Sequence, residues 1–196
     1  RPAGKRVNVL GVIRPTVEAV PSITANGHIG ILATPATVQS QSYLMELAKI
    51  NAEREQAGQP ALVVSQQECP MWVPLIESGE HNQPGADYFI DFYLRGLFAQ
   101  DETIDTLVLG CTHYPLIKEA IARHLTTMGK GGVHIIAQGT LVAESLVNYL
   151  QRHTEYREQL SEEGSCVYLT TEDADRFTQS ASTFLGSSIE AQHIGL

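Results

Sequence analysis

Short runs of β-branched and aliphatic residues alternate along this chain with longer stretches in which apolar positions recur at helical spacing. The runs predict strands over 7–13, 29–33, 61–65, 106–109, 133–137, 166–170 and 191–194. Between them, the 3.6-residue period predicts helices over 36–55, 86–99, 115–128, 141–152 and 172–185. The helix over 86–99 carries Tyr88, Phe89, Phe92, Tyr93, Leu97 and Phe98 as a packed core stripe. The helix over 115–128 has Pro115 in its first turn, where the missing N–H costs nothing. Alternation of this kind predicts an α/β fold, a mainly parallel sheet flanked by helices. Residues 58–60 and 129–132 read as turns and 80–85 as an exposed loop.

Composition narrows the function classes. Of the 196 residues, 43% are hydrophobic and 18% charged, which suits a globular protein with a real core. A net charge of −9 without clustered Lys and Arg argues against nucleic-acid binding. No apolar run is long enough to span a membrane and no basic run suits a membrane surface, so the cytoplasm is the expected location. The cysteines, Cys69, Cys111 and Cys166, are too few and odd in number for a disulfide framework. No metal site is expected, because Cys111 and His113 are only two ligands at an unusual spacing. Cys69, before Pro70, reads as a buried structural thiol, and Cys166 as a strand-core residue.

Candidate chemistry concentrates at Gly110-Cys111-Thr112-His113-Tyr114-Pro115. This segment follows the apolar run over 106–109 and opens a helical pattern, so Cys111 is expected at the carboxyl end of a strand, where open α/β sheets bind ligands. Helix N-terminal N–H groups there are expected to ease ionisation of the thiol. By itself this leaves Cys111 as a nucleophile, a metal ligand or a base.

The residues from Leu109 to Pro115 resemble the second cysteine signature of the glutamate racemases, cofactor-independent members of the aspartate/glutamate racemase superfamily. Three further stretches match in order: Gly11-Val12-Ile13-Arg14-Pro15; residues 29–38 with Ser40 and Tyr43; and residues 69–79. The block from Tyr168 to Gly186 is weakly similar to the family's carboxyl end. The resemblance implies a two-lobed racemase architecture and inversion of glutamate by two cysteines, one on each face of the α-carbon. It makes Cys111 the thiol that deprotonates L-glutamate, with His113 assisting and Glu77 as its carboxylate partner. Thr112, Thr34 and Thr37 match positions that hold the substrate's charged groups. No cofactor is implied, and the activity would supply D-glutamate for peptidoglycan. A homodimer is expected.

Plainer roles compete with each assignment. His113 could make a local hydrogen bond, Glu77 could be a solvated helix-end charge, and N-capping explains at least one of Thr34 and Thr37. Ser40 and Tyr43 read as packing or helix-surface residues.

The family's Asp-Ser-Gly start, its Pro-Tyr-Gly loop and the Cys-Asn-Thr block with the other catalytic cysteine occur nowhere in residues 1–196. Together with the opening Arg1 in place of methionine, this reads as a segment of something longer with one lobe incomplete. The expected division is 1–13, a strand of the first lobe; 14–138, the central lobe; and 139–196, the carboxyl-terminal part of the first lobe. Leu141, Leu146, Val147 and Leu150 would then lack covering partners, and the chain alone would not racemise. The alternatives are a racemase for aspartate or another small acid, against which His113 argues, and a non-catalytic binding or regulatory module.

Overall fold

The computed structural model describes residues 10–161 and 164–195. The chain divides into two compact units, the first ending at Val147 and the second beginning at Asn148. In the first, β1 (His28–Ala33), β2 (Val63–Glu68), β3 (Thr106–Leu109) and β4 (His134–Ala137) form a parallel sheet in the order β2-β1-β3-β4. The central strands read Ile29-Gly30-Ile31-Leu32-Ala33 and Thr106-Leu107-Val108-Leu109, and every one of these residues is buried. Strands covered on both faces need such near-continuous apolar runs.

Alternate residues of β1 go to opposite layers. Ile29, Ile31 and Ala33 pack with Val17 and Val20 of α1 (Ile13–Ile23) and with Tyr43 and Leu47 of α3 (Ser42–Gln56). Gly30 faces the other layer, where a Cβ would lie 2.7 Å from methyls of both Leu107 and Leu97. Leu97 belongs to α5 (Pro84–Gln100), which packs beside α6 (Lys118–Thr127).

Several boundaries differ from expectation. Residues 7–9 of the expected first strand lie outside the described residues; Leu10–Val12 form no strand, and Ile13 opens α1. The single helix expected over 36–55 is two, α2 (Pro35–Gln39) and α3, because Gln41 turns left-handed at φ 53° between them. The short helix α4 (Trp72–Glu77) was not predicted; six residues give periodicity too little to register. In α5, Tyr93, Leu97 and Phe98 are buried as the stripe requires, but Tyr88 and Phe92 are 63% and 55% exposed. Helix α7 (Gln138–Arg152) leaves Leu146 and Val147 exposed.

In the second unit, β5 (Tyr168–Thr170) and β6 (Ala191–His193) pair in parallel and α9 (Ala174–Leu185) connects them. Asp173 caps α9 by accepting from the Arg176 N–H at 2.7 Å. A short helix, α8 (Thr154–Arg157), follows α7. Cys166 precedes β5 and is exposed, because the strand is shorter than its apolar run.

The amino-terminal edge of the four-stranded sheet is tied by two carboxylates. Asp105 accepts from the Thr24 hydroxyl at 2.6 Å, the Ala25 and Asn26 N–H groups at 2.7 and 2.8 Å, and the Thr106 hydroxyl at 2.8 Å. Burial pushes its carboxyl up, but these hydrogen bonds outweigh burial and hold it below the ordinary value. Asp101 is held at about 2 by hydrogen bonds from the Thr103 hydroxyl and from His28. Both depressed values mean stability that is present above the unfolded carboxylate value and is lost as pH falls through the folded one. Replacing Asp105 with Ala should cost about 1–3 kcal/mol at pH 7 in urea unfolding, since it leaves the partly buried hydroxyls of Thr24 and Thr106 without their acceptor. The difference from the parent should shrink below about pH 4, where the unfolded carboxylate takes up its proton. A constant difference down to acid pH would contradict the assignment.

Candidate functional site

At the carboxyl edge of the sheet the hydrogen-bond ladder runs past the strands. Cys69 N–H donates to Ala33 O and Gly110 N–H to Leu32 O, both at 2.8 Å. These bonds align three chain exits side by side: Cys69 after β2, Thr34 after β1 and Cys111 after β3.

The exit from β3 is a tight turn. Tyr114 N–H donates to Cys111 O at 3.2 Å, and Tyr114–Ile117 form a 3₁₀ turn before α6 begins at Lys118. The expected helix over 115–128 thus starts late, and Pro115 sits in the 3₁₀ turn. Cys111 is half-buried, and its Sγ lies 3.7 Å from His113 Nδ1. His113 Nε2 lies 3.1 Å from Glu77 Oε1, at the end of α4. The three expected side chains therefore form one line, thiol to imidazole to carboxylate. Glu77 remains 61% exposed, so water screens its charge.

The thiol differs from expectation in one respect. Burial pushes Cys111 above the ordinary thiol value, and the Glu77 charge adds to this, while backbone N–H groups of His113, Tyr114 and Thr112 oppose it. A single 3₁₀ turn supplies a few N–H groups rather than a full helix terminus, and burial wins.

One strand over, Thr34 caps α2. Its hydroxyl oxygen accepts from the Thr37 N–H at 3.3 Å and lies 3.0 Å from the Thr37 hydroxyl. Both hydroxyls are only partly buried at the sheet edge, and Thr112 is exposed beside Cys111. Capping and ligand binding are compatible for Thr34, since a hydroxyl oxygen has two lone pairs. Among the described residues no group of three or more His, Cys, Asp or Glu side chains gathers to hold a metal ion.

Aromatic residues brace the site, and sequence reasoning left two of them, Tyr114 and Trp72, without a role. Tyr114 is fully buried, donates to Cys69 O at 3.2 Å and meets Trp72 edge-on with ring centroids 4.8 Å apart. Trp72 meets Tyr93 of α5 edge-on at 5.8 Å, and the Tyr93 hydroxyl accepts from the Met71 N–H at 3.3 Å. This stack joins α4, which carries Glu77, to the turn that carries His113. Tyr114 stood inside the quoted motif and Trp72 inside the Cys69 block, so their position was a signal, though their function as a brace was not. Cys69 itself is completely buried, donates to Gln67 O at 3.6 Å, and has its thiol pushed far up by burial.

No family model matches the chain. Curated proteins do. The glutamate racemase of Streptococcus suis is 34% identical over 193 residues, covering 97% of this chain and 66% of that protein. The glutamate racemase of Beutenbergia cavernae is 34% identical over 198 residues, covering 97% and 63%. Among solved structures, a Bacillus anthracis glutamate racemase superposes with a TM-score of 0.79 at 28% identity, over 97% of this chain and 65% of that one. A Francisella tularensis glutamate racemase in complex with D-glutamate gives 0.73 at 27% identity, over 94% and 62%. The chain thus spans a little under two thirds of the length of the relatives it matches.

The environments of the thiols set an order of reactivity. With iodoacetamide and peptide mass spectrometry, exposed Cys166 should modify first, and Cys111 slowly with a midpoint above the ordinary value of about 8.5. Cys69 should modify only on unfolding. Modification of Cys69 as fast as Cys111 in the folded protein would contradict the packing described.

Proposed function

From its similarity to the glutamate racemases, we propose that this chain carries one half of a two-thiol proton-transfer site for glutamate. The observation that carries the proposal is the line from Cys111 through His113 to Glu77, with gaps of 3.7 and 3.1 Å, at the strand edge beside the Thr34–Thr37 pair. The resemblance of residues 109–115, with the block over 69–79 that holds Glu77, implies these roles.

The geometry supports the following chemistry. Removing the α-proton of an amino acid needs a strong base, and a thiolate whose burial disfavours its charge is a stronger base than a free one. His113 takes the thiol proton and returns it, and Glu77 orients the imidazole by holding its far nitrogen. Thr112, Thr34, Thr37 and the N–H groups around them hold the substrate's carboxylates. No cofactor is needed for an exchange of one proton. The D-glutamate bound to the Francisella relative supports glutamate as the ligand.

Inversion also needs an acid on the opposite face of the α-carbon. Cys69 cannot serve, being sealed in the core, and no Cys-Asn-Thr block occurs in the 196 residues. From the resemblance we assign residues 14–138 to the central lobe, and 1–13 with 139–196 to the first lobe, whose family pattern includes the other thiol. In a complete enzyme the activity supplies D-glutamate for peptidoglycan and hence for cell shape. A cytoplasmic location suits three free thiols, and no described helix is long and apolar enough to cross a membrane. The exposed, stacked pair Tyr88 and Phe92 supports a homodimer.

Incubated with L- or D-glutamate, the 196-residue chain should not interconvert them by chiral chromatography. Glutamate, and not aspartate, should protect Cys111 from alkylation. Rapid interconversion would overturn the two-thiol requirement, and equal protection by aspartate would move the assignment to another acid.

A further inference from the structure

Gly110 is the residue from which the Cys111 turn departs, and its missing side chain matters. A Cβ there would lie 3.1 Å from Ala33 Cβ, 3.1 Å from Leu32 O and 3.3 Å from Tyr43 Cε2. The edge of the Tyr43 ring thus occupies the space that any side chain at 110 would need. Tyr43 comes from α3 and is 1% exposed.

The ring is held at its far end. Gln138, the first residue of α7 and itself buried, places Nε2 2.7 Å from the Tyr43 hydroxyl, 3.3 Å from Thr16 Oγ1 and 3.4 Å from Val12 O. A backbone carbonyl can only accept, so the contact with Val12 O fixes which end of the amide faces the cluster. The phenol oxygen therefore accepts from the amide. Gln138 directly follows β4 as Gly110 follows β3, so two neighbouring strand ends meet through one ring.

We propose that Tyr43 and Gln138 are a pair of positioning residues for Cys111, in which the amide fixes the phenol and the ring edge against Gly110 fixes the turn that aims the thiol. The importance of this aim rests on the proposed proton transfer by Cys111; the coupling itself does not. The N–H groups of Thr112, His113 and Tyr114 support the thiolate only while the turn keeps them directed at Sγ. A tilt of the turn withdraws them and lengthens the 3.7 Å gap to His113. Burial keeps the Tyr43 phenol neutral, so it acts by shape and one hydrogen bond rather than by charge.

The test uses the full chain with Cys166→Ser, which leaves Cys111 as the accessible thiol. Tyr43→Phe removes the acceptor and Gln138→Leu the donor, each at nearly constant volume. The pH profile of Cys111 alkylation should shift upward by roughly half to one unit in each, a roughly threefold to tenfold slower reaction below the midpoint. The double variant should shift no further than the larger single, because the two act as one unit. Tyr43→Leu, which removes the ring edge, should shift most. Variants that lose urea stability yet keep the parental profile would overturn the proposal and leave the pair as packing. Additive shifts in the double variant would overturn the coupling. Glutamate protection of Cys111 is read in the same samples, so a profile that shifts without any protection would reject the glutamate assignment while leaving the positioning pair intact.

Discussion

The hydrogen bond from Gly110 N–H to Leu32 O, 2.8 Å long and one step past the end of β3, is the constraint on which the rest depends. It carries the pairing of β3 with β1 one residue past Leu109, so the exit of Cys111 is set against the end of β1 rather than left to a loose loop. Close approach is possible because Gly110 has no side chain; Ala33, Leu32 and Tyr43 already fill the space. The 3₁₀ turn that follows, with Cys111 and His113, inherits that placement, and α4 brings Glu77 to meet it.

Rigidity at this edge is layered. Beneath the turn, Tyr114 reaches Cys69 O and Trp72, and through Trp72 reaches Tyr93 of α5. On the other layer of the sheet, Tyr43 and Gln138 approach from α3 and from the start of α7. The side chains proposed to react are few and partly exposed, whereas their supports are buried aromatics and one buried amide. A thiol that must change protonation state at fixed geometry needs such support, because a surface turn alone would tilt as its charge changes. Burial raises the cost of the thiolate and its basicity together, and His113 at 3.7 Å is the group that can accept its proton.

The parts of this fold legible in the sequence were those with a strong local signature. Fully buried strands such as 29–33 and 106–109 are unbroken apolar runs, and α5 repeats its apolar face over four turns. The motif from Gly110 to Pro115 located the turn, and with Glu77 it named the side chains that the structure brings into one line. What was not legible depended on distant contacts or on short elements. Helix α1 begins where a strand was expected because Val17 and Val20 complete a core with β1 and α3 that no local pattern announces. Gln41 breaks a helical pattern that continues unchanged through it, since a left-handed turn at a non-glycine residue has no strong sequence mark. The raised Cys111 value reflects burial, a tertiary property, where the motif suggested only a helix terminus. Gln138 gave no sign of its partner, 95 residues away.

The central claim is that Cys111 moves the α-proton of glutamate. Its most direct test is loss of the α-proton signal of L-glutamate in deuterated water, followed by proton NMR with the 196-residue chain and with its Cys111→Ala variant. Slow exchange without formation of D-glutamate by the parent, and none by Cys111→Ala, is the expected result. Exchange that continues undiminished in the Cys111→Ala variant would contradict the claim.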